Sequence, residues 1–312
     1  MPSCLIVGAG MAGLTAAGVL HARGWKVILL DKSRGVGGRM ATRRIGDSRL
    51  DHGAQFFTVR DARFQEAVAR WASAHWVKAW FAEGGHVRYL AVGGMNALAK
   101  HLAEAFDVRT TTKVKLAEPM GAGWIVTTEA GESFRADVLL LTPPAPQSSA
   151  LLAASAHQLP PGVISALNDV VYDPCFALLV TVDGAGKVPP PGYVRLDQGP
   201  VEWIADNTQK GISTGVAALT VHARADFSRM HFNSPDEDVT RLLLQAAAPW
   251  IGGRVVDCQL HRWRYSRPVS ADRPLYLFSQ HPAPLLIAGD AFGGPRLEGA
   301  FLSGLAAAEG IR

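Results

Sequence analysis

Three glycines near the start of the chain, Gly8, Gly10 and Gly13, have the spacing of a dinucleotide-binding turn. They follow the apolar segment Ser3–Val7 and precede an Ala- and Leu-rich run, which predicts a strand, a tight turn and a helix. In such a turn the first glycine permits the bend, the second lets the backbone approach a pyrophosphate, and the third lets the helix pack on its strand. The free N–H groups at the helix start then face the phosphates, and the helix dipole adds to the attraction.

An acidic residue, Asp31, ends the next apolar segment at roughly 20 residues from the glycine turn, where a carboxylate accepts both hydroxyls of an adenosine ribose. A carboxylate here disfavours a 2′-phosphate, so the site favours FAD or NAD over NADP. A tight turn without any ligand would carry similar glycines. The complete unit of strand, glycines, helix and acid nevertheless favours dinucleotide binding.

A second glycine cluster, Gly35-Val36-Gly37-Gly38-Arg39, follows the acid directly. A domain that binds NAD alone has no need of this cluster. Flavoproteins of the amine-oxidase type use a similar GxGGR turn to bring backbone N–H groups and an arginine onto the FAD pyrophosphate. The cluster therefore favours FAD, the alternative being a mobile glycine loop with a solvated Arg39.

The segment Asp51–Phe57 alternates poorly and carries a glycine between polar residues, which is typical of extended chain that passes close to a flat ligand. Gln55 and the two phenylalanines would then line a flavin ring. The alternative is that Asp51 only bonds to the backbone of a turn. His52 could in principle act as a base, but this is the weaker interpretation.

Near the end of the chain, an apolar segment at 285–288 predicts a buried strand that ends in Gly289-Asp290. A carboxylate at such a strand end can accept a ribityl hydroxyl of a flavin. A helix that begins after Gly299 would point its N-terminus at the flavin ring and stabilise negative charge there. The alternative is an ordinary C-terminal docking helix.

Composition limits the class of protein. The chain has 312 residues, of which 48% are hydrophobic and 19% charged, so it can bury a sizeable core. A net charge of +4 with scattered arginines favours small phosphate-bearing molecules over nucleic acid. Three cysteines without a CxxC pair argue against a disulfide scaffold or a zinc site, and we expect no metal. Because no apolar run is long enough to span a membrane, we expect no membrane segment and a cytoplasmic protein.

These patterns predict an α/β protein (α+β overall), with a Rossmann-like FAD-binding domain and a substrate domain built on a mostly antiparallel sheet. We assign 1–60, 91–149 and 274–312 to the first domain, and 61–90 and 150–273 to the second. Apolar spacing predicts helical structure over 61–83, 97–106, 161–168, 236–248 and 301–308. It predicts strands of the second domain at 176–182, 201–205, 217–222 and 256–265.

Five motifs together resemble the renalase family, among the amine-oxidase-like flavoproteins of p-hydroxybenzoate-hydroxylase fold. They are the N-terminal GAGMAGL, GVGGRM at 35–40, DHGAQFF at 51–57, ADVLLLTPPAPQ at 136–147 and LLIAGDAFGG at 285–294. The segments at 202–207 and 261–265 point more narrowly to renalase-like proteins. The resemblance implies a non-covalent FAD oxidase that converts 2- and 6-dihydro isomers of NAD(P) to β-NAD(P)+ by hydride transfer to flavin N5. Dioxygen would take the electrons and become hydrogen peroxide.

Motifs and resemblance together assign the following residues to FAD: Gly8, Gly10, Met11, Ala12, Gly13, Asp31, Lys32, Gly38, Arg39, Met40, His52, Gly53, Ala54, Gln55, Phe56, Val114, Thr142, Gly289, Asp290, Gly299 and Ala300. A dihydropyridine already carries the hydride that it loses, so no general base is required. We therefore expect shape and aromatic contacts rather than a catalytic lysine. The candidates for the substrate face are Trp203, Asn207, His222, Trp263 and Tyr265, and for substrate phosphates Arg262, Arg264 and Arg267.

Each substrate-face candidate has a plain alternative as a sheet or core residue, and the arginines could instead line a solvated sheet edge. An amine oxidase or desaturase of the same fold is a rival function. A redox-inert FAD-fold binding protein, or an isomerase without net turnover, would be another. The expected partners are a dihydronicotinamide nucleotide and dioxygen, and the sequence leaves the oligomeric state open, with a homodimer as one option.

Overall fold

The computed structural model describes residues 1–269 and 273–311. The first half of the chain forms β1 Ser3–Val7, α1 Met11–Ala22, β2 Lys26–Leu30, β3 Thr42–Ile45, β4 Ser48–Asp51, α2 Ala62–Ser73, β5 Val77–Glu83, β6 His86–Ala91, α3 Met95–Ala103, β7 Asp107–Arg109, β8 Val114–Met120, β9 Gly123–Thr128, β10 Ser133–Ala136, β11 Val138–Leu141 and α4 Ala145–Leu152. The second half forms α5 Pro161–Asn168, β12 Val171–Asp183, β13 Tyr193–Arg195, β14 Val201–Asp206, β15 Ala217–Ala223, α6 Ala225–His231, α7 Asp236–Ala247, β16 Arg254–Val269, β17 Tyr276–Ser279, β18 Leu285–Ala288, α8 Asp290–Gly293 and α9 Leu297–Gly310.

A six-stranded sheet in the order β17-β18-β11-β1-β2-β7 forms the centre of the predicted FAD-binding domain. Its strands run parallel except for β17, which pairs antiparallel with β18. Successive side chains of β1 enter different cores: Ile6 packs in the cluster that contains α1 and α9, and Leu5 in the cluster on the opposite face. A parallel sheet buried on both faces confirms the Rossmann-like fold that the N-terminal unit predicts.

A five-stranded antiparallel sheet in the order β13-β14-β15-β12-β16 forms the centre of the predicted substrate domain. One face packs against α6 and α7, with Phe176 and Leu178 of β12 beside Leu243 of α7. All four strands predicted in this region are confirmed, as are the helices over 161–168 and 236–248. The domain boundaries themselves stay a prediction, and residues 270–272 and Arg312 within them lie outside the described residues.

The helical prediction over 61–83 is wrong in its second half. Helix α2 ends at Ser73, and His75 takes a left-handed conformation with φ of 59° that reverses the chain. Residues Val77–Glu83 then form β5, which pairs antiparallel with β6. The tryptophans of this segment fit the helical period, but the hairpin buries the same apolar side chains by packing them on neighbouring segments.

The start of the final helix also differs from its prediction. Helix α9 begins at Leu297, so Gly299 lies inside its first turn rather than before it. A Cβ on Gly299 would overlap the carbonyl oxygen of Gly294, which explains why the residue is glycine. None of the helices in the part of the chain that the structure describes is both long and apolar enough to span a bilayer.

Candidate flavin and substrate site

Each of the three positions of the first turn is glycine for a different structural reason. Gly8 has a left-handed φ of 102°, and a Cβ on Gly13 would overlap the carbonyl oxygen of Gly8. Gly10 caps α1 in an extended conformation, and its Cβ would meet only the Gly37 carbonyl oxygen, at 4.0 Å. The first and third glycines therefore serve the fold, whereas the second borders open space in front of the helix start.

The second glycine turn closes the other side of this space. The Gly37 N–H donates to the Ala9 carbonyl at 2.8 Å, and a Cβ on Gly38 would lie 3.6 Å from the Gly10 Cα. The two turns thus pack backbone against backbone, and the space in front of the buried N-terminus of α1 at Met11, called the gap below, is bordered by glycine backbone without side chains. Backbone of this kind at a helix start suits a pyrophosphate, which needs close approach of backbone N–H groups.

Asp31 is held at the edge of the same gap. Its carboxylate accepts the Ala9 N–H and the Ser33 N–H, each at 2.8 Å. A carboxylate has about four acceptor positions, so these two bonds leave capacity for ribose hydroxyls. Nearby, the Thr142 hydroxyl donates to the carbonyls of Val7 and Gly8, at 2.9 and 3.1 Å.

The other FAD candidates lie around these residues. The Lys32 Nζ bonds to Gln147, at 3.0 Å. Val114 begins β8, soon after Thr112, whose N–H donates to the Asp31 carbonyl at 2.8 Å. Met40 is buried directly after the second glycine turn, and Ala12 is buried in the first turn of α1.

Arg39 and Asp290 form a bidentate ion pair, with Nη1–Oδ2 and Nη2–Oδ1 distances of 2.7 and 2.6 Å. The sequence predicts that each contacts FAD and gives no hint that they contact each other. Arg39 also donates to the carbonyls of Tyr265 and Ser266, at 3.3 and 3.1 Å. The pair joins the GxGGR turn, the Gly-Asp strand end and β16 at one point. Gly289, with φ of 142°, sets the angle at which Asp290 leaves its strand, and Ala300 lies in the first turn of α9 nearby.

The segment that follows β4 lies directly against Arg39. The Ala54 N–H donates to the Arg39 carbonyl at 2.8 Å, and a Cβ on Gly53 would overlap that carbonyl oxygen. His52 is buried, and its backbone N–H donates to the Ala41 carbonyl at 3.0 Å. The Nδ1 atom of its ring has no hydrogen-bond partner. An unpaired buried ring nitrogen beside the glycine turns is the kind of group that a polar ligand satisfies.

Three of the predicted substrate-face residues meet this segment. The carbonyl oxygen of His52 accepts the Trp263 Nε1–H at 2.8 Å and lies 3.2 Å from the His222 Nε2. The His52 ring stacks on Trp263 with ring centres 5.4 Å apart and planes at 20°. The His261 ring packs edge-on against both, at 4.8 and 4.3 Å. Trp203 is the cross-strand neighbour of His222, so all of these side chains belong to one face of the antiparallel sheet.

The histidines of this face are neutral at neutral pH. Burial, together with the nearby His261, Arg43 and His222, lowers the pKa of His52 to about 3. Burial likewise lowers the pKa of His222 to about 4. Burial and the adjacent Arg43 lower the pKa of His261 to about 4. The face therefore offers flat, uncharged rings.

An aromatic wall extends this face at the Trp203 end. Trp203 stacks on Tyr193 with ring centres 4.6 Å apart and planes at 9°, and Tyr193 stacks on Phe81 at 4.3 Å and 13°. Phe56, from the segment predicted to line the flavin, packs against Trp203 with ring centres 5.4 Å apart. The Trp203 Nε1 is buried and has no hydrogen-bond partner, so this wall also offers a donor to a bound molecule.

Asn207 does not join this face. Its side chain is buried, accepts the Asp51 N–H at 3.2 Å and donates to Ala218 O and Thr220 Oγ1 at 3.0 and 2.9 Å. These three hydrogen bonds hold β4 to the antiparallel sheet. The prediction of a substrate contact therefore has no support from its position. Tyr265 lies beside Arg39 and packs edge-on against Tyr172 at 5.5 Å, away from Trp203.

The arginines proposed for substrate phosphates mostly have protein partners. Arg262 pairs with Asp236, and Arg267 pairs with Asp173 at 3.2 Å. Arg264 lies over the ring of Phe232, at 4.7 Å. These placements favour the alternative interpretation, in which the arginines stabilise the edge and the helical side of the sheet.

Two charged residues near the site escaped the sequence analysis. Arg43 approaches His261 Nδ1 at 3.4 Å. Lys210 is buried, with its Nζ 3.0 Å from Asp51 Oδ2 and 3.1 Å from Gln55 Oε1. Both lie in polar stretches of sequence without periodicity, so nothing in the pattern around them indicates burial or a partner.

Comparison with known proteins gives the class. The family model described as flavin containing amine oxidoreductase matches residues 64–312, and the model of an NAD(P)-binding Rossmann-like domain matches residues 6–71. The protein is an FAD-dependent oxidoreductase that acts on a small molecule. It belongs to the flavin containing amine oxidoreductase family.

Among individual proteins, the chain is 25% identical to renalase from Mus musculus over 336 aligned residues, which cover 98% of this chain and 97% of the mouse protein. It is 45% identical to hydroxyneurosporene desaturase from Rubrivivax gelatinosus over 56 residues, or 18% of this chain and 11% of the desaturase. The structure of an oxidoreductase from Methanosarcina mazei has a TM-score of 0.71 at 12% identity, with 98% and 100% of the two chains covered. Putrescine oxidase bound to putrescine has a TM-score of 0.68 at 15% identity, with 99% of both chains covered. These two structures share the fold.

Proposed function

We propose that this enzyme oxidises the 2- and 6-dihydro isomers of NAD(P) to β-NAD(P)+, with dioxygen as the electron acceptor and hydrogen peroxide as its product. The observation that carries the proposal is the uncharged face formed by Trp203, His222, Trp263 and their neighbours around the His52 carbonyl. The similarity to a renalase over nearly the whole of both chains supports the same reaction class.

The reaction requires little acid–base catalysis from the protein. Loss of a hydride from a dihydropyridine leaves an aromatic pyridinium, so no proton has to be removed. Because burial keeps the pKa of His222 at about 4 and that of His52 at about 3, neither ring is an imidazolium near neutral pH, and neither serves as a general acid. FAD, when bound, supplies the two-electron acceptor.

The protein's contribution is then binding and orientation. In this proposal, Gly10 and Gly38 border the pyrophosphate, Asp31 accepts ribose hydroxyls, and Gly53 and Ala54 pass close to the flavin ring. Residues 61–90 and 150–273 supply the substrate face. Trp203 and Trp263 offer flat rings against which a dihydropyridine can be held in the orientation that transfer requires.

An amine oxidase is the alternative that the family membership suggests. A protonated amine is bound best where a carboxylate or an open aromatic face receives its charge. The carboxylate of Asp51 is buried and paired with Lys210, and Asp290 is paired with Arg39. These two carboxylates are thus already paired, whereas the aromatic rings of Trp203, Tyr193 and Phe81 suit an ammonium group as well as an uncharged ring. The similarity to a renalase is what favours the dihydropyridine. A redox-inert binding protein is a further alternative.

Steady-state product analysis tests the proposal. Purified enzyme with FAD is mixed with borohydride-reduced NAD, which contains the 2-, 4- and 6-dihydro isomers, and separately with pure NADH and with a panel of primary amines. We expect oxygen consumption with the reduced mixture only, with one β-NAD+ and one hydrogen peroxide formed per oxygen. Turnover of an amine, with none of the isomers, would replace the proposal by the amine-oxidase alternative. FAD binding without turnover of any of them would favour the redox-inert one.

A further inference from the structure

Lys210 lies in the loop after β14 and has no exposed side-chain surface. Its Nζ donates to Asp51 Oδ2 at 3.0 Å and to Gln55 Oε1 at 3.1 Å, and it lies 5.4 Å from the centre of the Trp80 ring. Burial lowers the pKa of Lys210, and the adjacent Asp51 raises it again. A buried ammonium is costly unless it is paired and hydrogen-bonded, so this side chain needs a reason to be there.

The two partners of Lys210 occupy both ends of one short turn. The Gln55 Nε2 donates to the carbonyls of Asp51 and Gly53, at 2.7 and 3.1 Å, so its amide spans the turn from inside. The Asp51 Oδ1 accepts the Thr42 hydroxyl at 2.6 Å and the Met95 N–H at 2.8 Å. Asp51 is thereby anchored to neighbouring elements, and Lys210 connects that anchor to Gln55.

The residues between Asp51 and Gln55 are predicted to face the flavin. His52 presents the carbonyl on which Trp263 and His222 converge, and Gly53 lies against the Arg39 carbonyl. A change in the orientation of Gln55 would therefore move the backbone of this turn relative to the sheet. Lys210 itself is enclosed by protein and acts only through its two partners.

We propose that Lys210 is a positioning residue. Its ammonium fixes the turn 51–55, so that the backbone of this turn is held in the position that the flavin ring and the substrate face require. The proposal rests on the flavin site of the proposed function, and it does not depend on which substrate is oxidised. Removal of the ammonium leaves Gln55 Oε1 without its donor, and the amide loses the contact that selects its orientation.

The test compares Lys210→Met with Lys113→Met, because Lys113 forms a Lys–Glu pair at 2.6 Å with Glu129 whose side chains are 58% and 54% exposed. FAD-loaded enzyme is measured by visible circular dichroism, by the reduction potential of the bound flavin and by the limiting rate of flavin reduction by borohydride-reduced NAD. We expect Lys210→Met to change the flavin circular dichroism and potential and to slow reduction by tenfold or more, while Lys113→Met matches the original protein. A Lys210→Met enzyme with unchanged dichroism, potential and reduction rate would overturn the proposal.

A second variant covers the case in which Lys210→Met fails to fold because Asp51 is left as an unpaired buried carboxylate. The double variant Lys210→Met/Asp51→Asn removes that charge and keeps a side-chain oxygen for Thr42 and the Met95 N–H. We expect it to fold and still to show altered flavin dichroism, whereas restoration of the original dichroism and potential would overturn the proposal. The dichroism and potential need no substrate. Failure of the original enzyme to oxidise dihydronicotinamides would therefore count against the proposed function alone.

Discussion

Three Gly→Ala substitutions at helix α1 can separate cofactor binding from folding, because the same added methyl group would meet three different surroundings. At Gly18 the nearest neighbour of a Cβ would be Phe106 Cζ at 3.9 Å, an ordinary contact. At Gly13 the Cβ would overlap the Gly8 carbonyl. At Gly10 the nearest neighbour of the Cβ would be the Gly37 carbonyl oxygen at 4.0 Å, so the methyl group would enter the gap that is proposed to hold the pyrophosphate.

The expected changes in apoprotein stability differ in sign between these variants. Alanine is favoured over glycine inside a helix by about 1 kcal/mol, so Gly18→Ala should stabilise the apoprotein by up to that amount. Gly13→Ala gains the same propensity, but overpacking costs ~1–3 kcal/mol and here involves rigid backbone, so we expect net destabilisation. Gly10 has φ of −83°, which alanine adopts without strain, but glycine is preferred over alanine at a helix N-cap, so Gly10→Ala should destabilise the apoprotein by up to about 1 kcal/mol. Its methyl group should in addition raise the Kd for FAD at least about tenfold, equivalent to ~1.4 kcal/mol.

Urea unfolding of the apoproteins, followed by tryptophan fluorescence, measures the stability differences, and titration with FAD measures the affinities. Equal stability of Gly13→Ala and Gly18→Ala would refute the packing argument for the turn. FAD affinity of Gly10→Ala equal to that of the original protein would refute the assignment of the gap to the pyrophosphate.

Two further predictions concern the interior of the site. Asn207→Leu should destabilise the protein by ~1–3 kcal/mol in urea unfolding, since the buried Asp51 N–H loses its acceptor; an unchanged midpoint would mean that water or a neighbour replaces the amide. Acid should also destabilise the fold. The pKa values of His52, His222 and His261 are about 3, 4 and 4 in the folded protein and 6.5 ordinarily, so the unfolded chain takes up protons first as pH falls. Stability should be retained above about pH 6.5 and fall towards pH 4, by up to ~1.4 kcal/mol per pH unit for each of the buried His52 and His222 and by less for the half-buried His261. A flat urea midpoint from pH 7 to 4.5 would contradict this.

The parts of the fold that the sequence predicts are those with local signals. The first strand, glycine turn and helix agree because apolar spacing, glycine positions and Asp31 all act within a short segment. The long strands β12 and β16 agree because apolar and aromatic runs bounded by turn residues have few other interpretations. The segment Val77–Glu83 was mistaken for helix because its aromatic spacing fits both periods, and only the left-handed His75 and pairing with β6 decide between them.

Within the candidate site, the sequence predicts a residue's role only where the residue's own motif indicates that role. The pairing of Arg39 with Asp290 joins residues 251 positions apart, and each motif taken alone points to the cofactor. The segment 202–207 resembles renalase-like proteins and so predicts a substrate contact for Asn207, yet its amide bonds to Asp51, Ala218 and Thr220. Lys210 carries no signal at all, because its burial depends on a carboxylate 159 positions away.

The most direct test of the central claim is anaerobic stopped-flow spectroscopy of the FAD-loaded enzyme. The protein is mixed with borohydride-reduced NAD, and in a parallel experiment with pure NADH, while the visible flavin band is followed. The account predicts fast loss of the band with the reduced mixture only, and return of the colour together with hydrogen peroxide when air is admitted. Equal bleaching by NADH and the mixture, or bleaching by neither, would contradict it.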